Sequence, residues 1–359
     1  MFAAARLTGM GLMALWAWHI GKSPRALLAT SWDSDWYVRI AAHGYGRTLY
    51  WPDGAVQSDL AFFPLYPALV RAGTTVLPVT GGTVGLALSW LAAGAAAWGI
   101  YAVVERLYDR ALATVLVLLW GLLPHAIVLS MAYTEPLLTA FAAWSLYALV
   151  TRRWLWAGSL AALAGLTRPN GIAVAAAVVA VAAYELVRRR GKNGRRRMWA
   201  AAALAPSGWL GYLLWVGARQ GDPLGGYFAV QEGWTSRFDL GLGSLQVVRS
   251  MVTTPVFFGF PMALVIVGAG ALLFVLFVLD RPALPLLVYT GVLVLITVGG
   301  SGFFESKPRF LLPAFPLLLP LASALTKARP RAAITVIAAL AGLSFGYGAY
   351  LLTLGPMAL

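Results

Sequence analysis

Residues 257–279 read FFGFPMALVIVGAGALLFVLFVL, an uncharged run that ends against Asp280-Arg281. As a helix at about 1.5 Å per residue it is long enough to cross the roughly 30 Å hydrocarbon core of a bilayer. Working outward, the same pattern recurs along the chain, apolar runs closed by short charged clusters. It predicts spans near 3–21, 84–104, 111–130, 135–151, 154–167, 170–187, 198–217, 257–279, 283–300, 309–326 and 332–354, about eleven helices in all. Only 11% of the 359 residues are charged and 60% are hydrophobic, whereas a typical soluble domain carries about 25% charged residues. A soluble fold could not hide that much apolar surface. Leu, Ala and Gly fill uninterrupted stretches without the period-2 alternation of a membrane barrel. The fold class expected is therefore an all-α polytopic membrane protein, one domain over residues 1–359.

The net charge of +14 marks topology rather than a nucleic-acid partner, because basic residues do not line an aromatic-interleaved groove. The basic loop 188–197 holds seven Arg and Lys residues, which the positive-inside rule places in the cytoplasm. With the N-terminus on that side, sixteen basic residues face four acidic ones inside, and eleven face nine outside. Arg6 interrupts the first apolar run, so either that helix extends back to Phe2 with Arg6 snorkelling, or the chain begins further upstream. The protein expected is a multi-pass one of the bacterial plasma membrane, in contact with its lipids.

Two extracytoplasmic segments are long enough to fold, 22–83 and 218–256. The first is rich in Trp and Tyr, as expected at headgroup level, and should form two short interfacial helices. Trp32, Trp36 and Ile40 fall on one face of the first of these, which Gly44 ends. It also carries Asp33, Asp35, Asp53 and Asp59 of only thirteen acidic residues. In Trp32-Asp33-Ser34-Asp35-Trp36-Tyr37, Asp33 either caps a helix or does chemistry. Tyr133-Thr134-Glu135-Pro136 reads as an ordinary helix start or as a second acidic site. In Thr167-Arg168-Pro169-Asn170-Gly171 the turn is explained by Pro and Gly, while Arg168 needs a partner that a lipid phosphate would supply. In Phe304-Glu305-Ser306-Lys307-Pro308-Arg309-Phe310 two cations reach the outer interface, either to snorkel or to bind. All four stretches fall on one side of the membrane.

Cysteine is absent, and His19, His43 and His125 have no metal-ligand spacing, so no metal site is expected. Neither a phosphate-binding glycine loop nor a nucleophile elbow appears. Asp-x-Asp is also the metal motif of nucleotide-sugar transferases, but no βαβ pattern surrounds it.

Trp32-Asp33, Trp36-Tyr37, Ile40-Ala41, His43-Gly44-Tyr45 and Ala61-Phe62-Phe63-Pro64-Leu65-Tyr66-Pro67 together resemble the first luminal loop of the PIG-V type mannosyltransferases, members of the GT-C superfamily of membrane glycosyltransferases. The likeness continues through Ser130-Met131-Ala132-Tyr133-Thr134-Glu135-Pro136 and Arg168-Pro169-Asn170-Gly171. It reappears at Lys307-Pro308-Arg309-Phe310 and the following Leu311-Leu312-Pro313. The resemblance implies a GT-C helix bundle that moves mannose, with inversion, from a polyprenyl-phosphate donor to a lipid or glycan acceptor on the extracytoplasmic face, with no cofactor required. It implies Asp33 as base, with Asp35 as alternative or sugar binder, and Tyr133, Glu135 and Asn170 about the sugar. Arg168, Lys307 and Arg309 would meet the phosphate, and Trp32, Trp36 and Tyr37 would pack on sugar or prenyl chain. Two alternatives remain: a transporter or flippase of a lipid-linked sugar, and a transferase for arabinose, glucose or galactose.

Overall fold

The structure, a computed structural model, describes residues 1–52, 54–188 and 195–355. Asp53 and most of the basic loop, residues 189–194, lie outside the described residues. The bundle comprises α1 (Phe2–His19), α5 (Gly81–Leu107), α6 (Arg110–Gly121), α7 (Glu135–Val150), α8 (Trp154–Gly165), α9 (Ile172–Arg188), α10 (Arg195–Leu204), α11 (Ser207–Arg219), α14 (Gly259–Leu279), α15 (Leu284–Gly299), α17 (Leu319–Lys327) and α18 (Pro330–Thr353). All eleven predicted spans fall on these helices.

Several spans are shorter or more broken than their apolar length suggests, and proline is the reason. The run 111–130 is helical only to Gly121 and resumes as a 3-10 segment, Ala126–Ser130, beyond Pro124. The run 309–326 is not one helix: Phe304–Phe310 and Phe315–Lys327 meet at 82°, across Pro313 and Pro316, whose rings cannot continue a helical hydrogen-bond ladder. Among the described residues, five helices are long and apolar enough to cross a bilayer: Gly81–Leu107, Pro169–Arg188, Arg195–Arg219, Gly259–Leu279 and Pro330–Thr353. A 12-residue helix such as α8 covers only about 18 Å, so its turns lie within the thickness of the bundle. Small residues allow this packing: a Cβ added at Gly158 of α8 would stand 2.9 Å from the Ala201 Cα of α10.

Arg6 does not snorkel. It is buried in α1 and donates to the Ser130 hydroxyl at 3.0 Å and the Gly121 carbonyl at 3.1 Å. A guanidinium removed from water needs such acceptors.

The first long segment between spans, 22–83, holds more than the two short helices expected. It contains α2 (Pro24–Ala29), α3 (Asp33–His43), the antiparallel hairpin β1 (Thr48–Tyr50) and β2 (Val56–Ser58), and α4 (Leu65–Val76). The second contributes α12 (Gly226–Gly233) and α13 (Leu242–Thr253), and docks onto the first. Trp234 Nε1 donates to the Ser58 carbonyl at 2.9 Å, and its ring meets Trp36 edge-on at 5.2 Å. Phe62 stacks on Trp36 at 5.5 Å and meets Tyr37 at 5.2 Å. The aromatic residues thus build a common cap over one end of the bundle.

Candidate active site

Beneath this cap lies a buried cluster of four charges from four distant stretches. Arg309, in the short helix α16 (Lys307–Phe310), places Nη1 2.8 Å from Asp33 Oδ2 and Nε 3.8 Å from Glu135 Oε1. Arg168 Nη1 is 2.6 Å from the same Glu135 oxygen and donates to the Thr134 hydroxyl at 3.0 Å. That hydroxyl also shares a hydrogen bond with the Tyr37 hydroxyl at 3.2 Å. Asp33 N–H donates to the Tyr133 hydroxyl at 3.4 Å, and the Arg309 guanidinium lies over the Tyr133 ring. Both guanidiniums face the Phe310 ring, at 5.7 and 5.3 Å.

Local structure explains each placement. Trp32 takes φ 51°, ψ −115° and turns the chain sharply into α3, so Asp33 begins the helix. Such a backbone is strained for a side-chain-bearing residue, and strain of this kind gathers at functional sites. Thr134 precedes α7 without capping it. Its hydroxyl is committed to Arg168 and Tyr37, while Glu135 in the first turn and the early Pro136 keep the rest of an ordinary helix start. Asp33 likewise gives no cap; its carboxylate goes to Arg309. Ser89 of α5 fixes the depth of the α7 start, donating to the Tyr133 carbonyl at 2.8 Å and accepting from its N–H at 3.2 Å. The α8–α9 turn that carries Arg168 closes tightly at Gly171, where a Cβ would run into the Ala164 carbonyl. Asn170 is buried in that turn.

Two carboxylates and two guanidiniums make the cluster neutral overall, so ionised side chains can be held out of water together. It is not saturated. Arg168 lies close to Glu135 Oε1 but off the line of a hydrogen bond, and Glu135 Oε2 and Arg309 Nε have no hydrogen-bond partner among the described residues. A buried acceptor and a buried donor thus remain open to a bound group. Burial raises the Tyr37 phenol well above its ordinary value, so it stays protonated.

The structure brings Asp33, Tyr37, Tyr133, Glu135, Arg168 and Arg309 together. Asp35 and Lys307 are elsewhere. Asp35 Oδ2 accepts from Arg39 Nε at 2.7 Å and Arg47 Nη1 at 3.2 Å on the far side of α3. Lys307 Nζ donates to the Ser244 hydroxyl and to the Thr297 and Gly300 carbonyls at 2.6, 2.8 and 2.6 Å, pinning α13 to the end of α15. In each case the residue lies two positions from a cluster member, and residues so spaced on a helix do not share a face. Trp36 is walled into the aromatic cap, and Trp32 is half-buried against the main core. Phe310, which both guanidiniums face, and Thr134, which joins Arg168 to Tyr37, are site residues that the sequence pattern does not single out as such. No group of three or more His, Asp or Glu side chains suited to a metal occurs among the described residues.

Residues 61–215 match the family described as dolichyl-phosphate-mannose-protein mannosyltransferase, a stretch holding Glu135 and Arg168 but not Asp33 or Arg309. No curated protein matches the chain. Among solved structures it is similar to ArnT from Cupriavidus metallidurans bound to undecaprenyl phosphate, with a TM-score of 0.56, 16% identity, and coverage of 94% of this chain and 63% of ArnT. It is also similar to the Archaeoglobus fulgidus oligosaccharyltransferase with Zn and sulfate, with a TM-score of 0.52, 14% identity, and coverage of 97% and 53%. A third is AglB from Archaeoglobus fulgidus with an inhibitory peptide and a dolichol-phosphate, with a TM-score of 0.51, 12% identity, and coverage of 98% and 55%. The chain thus spans roughly half to two thirds of these proteins' length. The fold is that of the GT-C membrane glycosyltransferases.

Proposed function

We propose that the chain is a membrane glycosyltransferase of PIG-V type that moves mannose from a polyprenyl-phosphate carrier to a hydroxyl of a lipid or glycan acceptor, with inversion. The observation that carries this is the buried Asp33–Arg309–Glu135–Arg168 cluster on a GT-C fold. The mannose assignment draws on the first-loop resemblance and on the family matched by residues 61–215. The site lies at the N-terminal end of α7, opposite Arg152 and Arg153 beyond its C-terminus. By the positive-inside rule it faces away from the cytoplasm, here of a bacterial plasma membrane.

In this reading the acceptor oxygen attacks the anomeric carbon while the bond from that carbon to the phosphate oxygen breaks. Polyprenyl phosphate leaves with the bonding pair, and Asp33 takes the acceptor proton. Arg309 and Arg168 supply the positive charge that the departing phosphate requires. Arg309 stands between Asp33 and the place of the phosphate, so donor binding and placement of the base involve the same guanidinium. Glu135 keeps Arg168 in place and offers its free oxygen to a sugar hydroxyl.

The test uses the purified chain in proteoliposomes with radiolabelled polyprenyl-phosphate mannose, and with the arabinose, glucose and galactose carriers in parallel. Label in a new product together with released polyprenyl phosphate supports a transferase, and the carrier used names the sugar. Movement of intact substrate across the bilayer without a new product overturns the reading in favour of a flippase.

A further inference from the structure

One helical turn along α3 from Asp33, on the side that faces away from the charged cluster, lies a cavity of about 170 Å³. Trp36, Arg39, Tyr45, Arg47 and Asp59 contribute to its wall. It is smaller than the roughly 300–1,000 Å³ of sites for drug-sized ligands, a size suited to a single ring.

Asp59 is the unusual member. Only 1% exposed, it accepts through Oδ2 from the N–H groups of Gly46 and Arg47 at 2.9 and 2.8 Å. Its other oxygen, Oδ1, is buried without a hydrogen-bond partner among the described residues. Leaving such an acceptor unmade is costly, and native proteins tolerate it chiefly where something else binds. Opposite it, Asp35 orients two cations. Its Oδ2 takes one N–H from Arg39 and one from Arg47, of the five that each guanidinium carries. Arg47 also places its guanidinium carbon over the Trp36 ring, 4.6 Å from the centroid. Tyr45 commits its hydroxyl to the Phe62 carbonyl at 2.8 Å and leaves its ring to the wall.

The chemistry of this lining selects among ligands. An inorganic anion would satisfy the arginines but meet the open Asp59 carboxylate, which needs a donor. A cation would satisfy Asp59 but meet two guanidiniums. A neutral polyhydroxyl ring brings donors and acceptors together and has apolar C–H edges for aromatic walls. We propose that this cavity is a subsite for a neutral pyranoside, a ring of the acceptor glycan other than the one whose hydroxyl reaches Asp33, with Asp59 accepting from a ring hydroxyl and Arg39 and Arg47 donating to ring oxygens. Asp35 is then a positioning residue for the two arginines. Naming the ring as acceptor rests on the transferase reading above; the existence of the subsite does not.

The experiment uses the full chain in nanodiscs with methyl α-mannoside, methyl α-glucoside and methyl α-galactoside as probes, read by saturation-transfer NMR and titration, with inorganic phosphate as competitor. At least one glycoside is expected to bind. Arg39→Ala and Asp59→Asn should each weaken that binding tenfold or more, Asp33→Asn should not, and phosphate should not compete. Asp59→Asn keeps an acceptor for the Gly46 and Arg47 turn while turning the open acceptor into a donor. Should it fail to fold, Arg39→Ala decides alone, because the Arg39 side chain is 52% exposed. The proposal is overturned if none of the three glycosides binds, if binding survives the substitutions, or if phosphate displaces the glycoside. Glycoside binding without sugar transfer from any lipid carrier would sink the transferase reading and leave the subsite standing. Transfer whose acceptor KM ignores these substitutions would do the reverse.

Discussion

Removing Arg309 while keeping its size, Arg309→Met, leaves Asp33 without its cation and Glu135 with only Arg168. The Arg309 and Asp33 side chains are 9% and 14% exposed, whereas those of the Arg39–Asp35 pair on the same helix are 52% and 38% exposed. Breaking a buried pair by deleting one partner costs about 3–5 kcal/mol, because the survivor stays charged and desolvated. An exposed pair is worth about 0.2–1 kcal/mol. With an unfolding entropy of about 2.1 cal/mol/K per residue, 359 residues convert these energies to a Tm drop of about 4–7 °C for Arg309→Met and about 1 °C or less for Arg39→Ala. Thermal unfolding of the purified chain in nanodiscs reads both. Combining Arg309→Met with Asp33→Asn removes both charges and should recover part of the loss, a coupling that a double-mutant cycle isolates. Equal shifts for Arg309→Met and Arg39→Ala, or a double variant as unstable as the sum of the singles, would refute the claim that Asp33 is held by a buried charge.

Thr134→Val removes the hydroxyl to which Arg168 donates and with which Tyr37 shares a hydrogen bond, and should lower stability by about 1–3 kcal/mol, measured by the same melts, whereas Thr134→Ser should restore it. Lys307→Met should release α13 from the end of α15, so hydrogen exchange across residues 237–253 rises while polyprenyl-phosphate binding persists; loss of donor binding with unchanged exchange would mean that Lys307 meets the phosphate. Burial raises the phenols of Tyr37 and Tyr45, the latter to about 12, while an unfolded chain loses such protons near pH 10. Their contribution to stability is therefore complete below about pH 10 and declines as pH rises toward 12. Melts followed by circular dichroism should show that decline, and a flat midpoint from pH 9 to 12 would contradict it.

The apolar spans were legible because a bilayer demands long uncharged runs, and such runs stand out in a chain with so few charges. Their interruptions were visible only as prolines: Pro124, Pro313 and Pro316 break or bend runs that hydropathy alone reads as continuous. Of the two short helices expected in 22–83 only the one that Gly44 ends was located from sequence; α4 begins behind Pro64 with Pro67 in its first turn, where proline is tolerated. The convergence of Asp33, Glu135, Arg168 and Arg309 was accessible from their shared side of the membrane. Asp35 and Lys307 share that side as well, and what separates them is direction around a helix. The i, i+2 spacing of Asp33 with Asp35, and of Lys307 with Arg309, carried that information. Thr134 as a bridge between Tyr37 and Arg168, and the open oxygen of Asp59, depend on tertiary contacts that no local pattern encodes.

Whether Asp33 takes the acceptor proton beside a lipid phosphate held by Arg309 and Arg168 can be read from single-turnover transfer from radiolabelled polyprenyl-phosphate mannose with the Asp33→Asn protein. This variant should still bind the carrier while the transfer step slows by about 10²–10⁴, the contribution usual for a positioned base. Transfer at the wild-type rate by Asp33→Asn would contradict it.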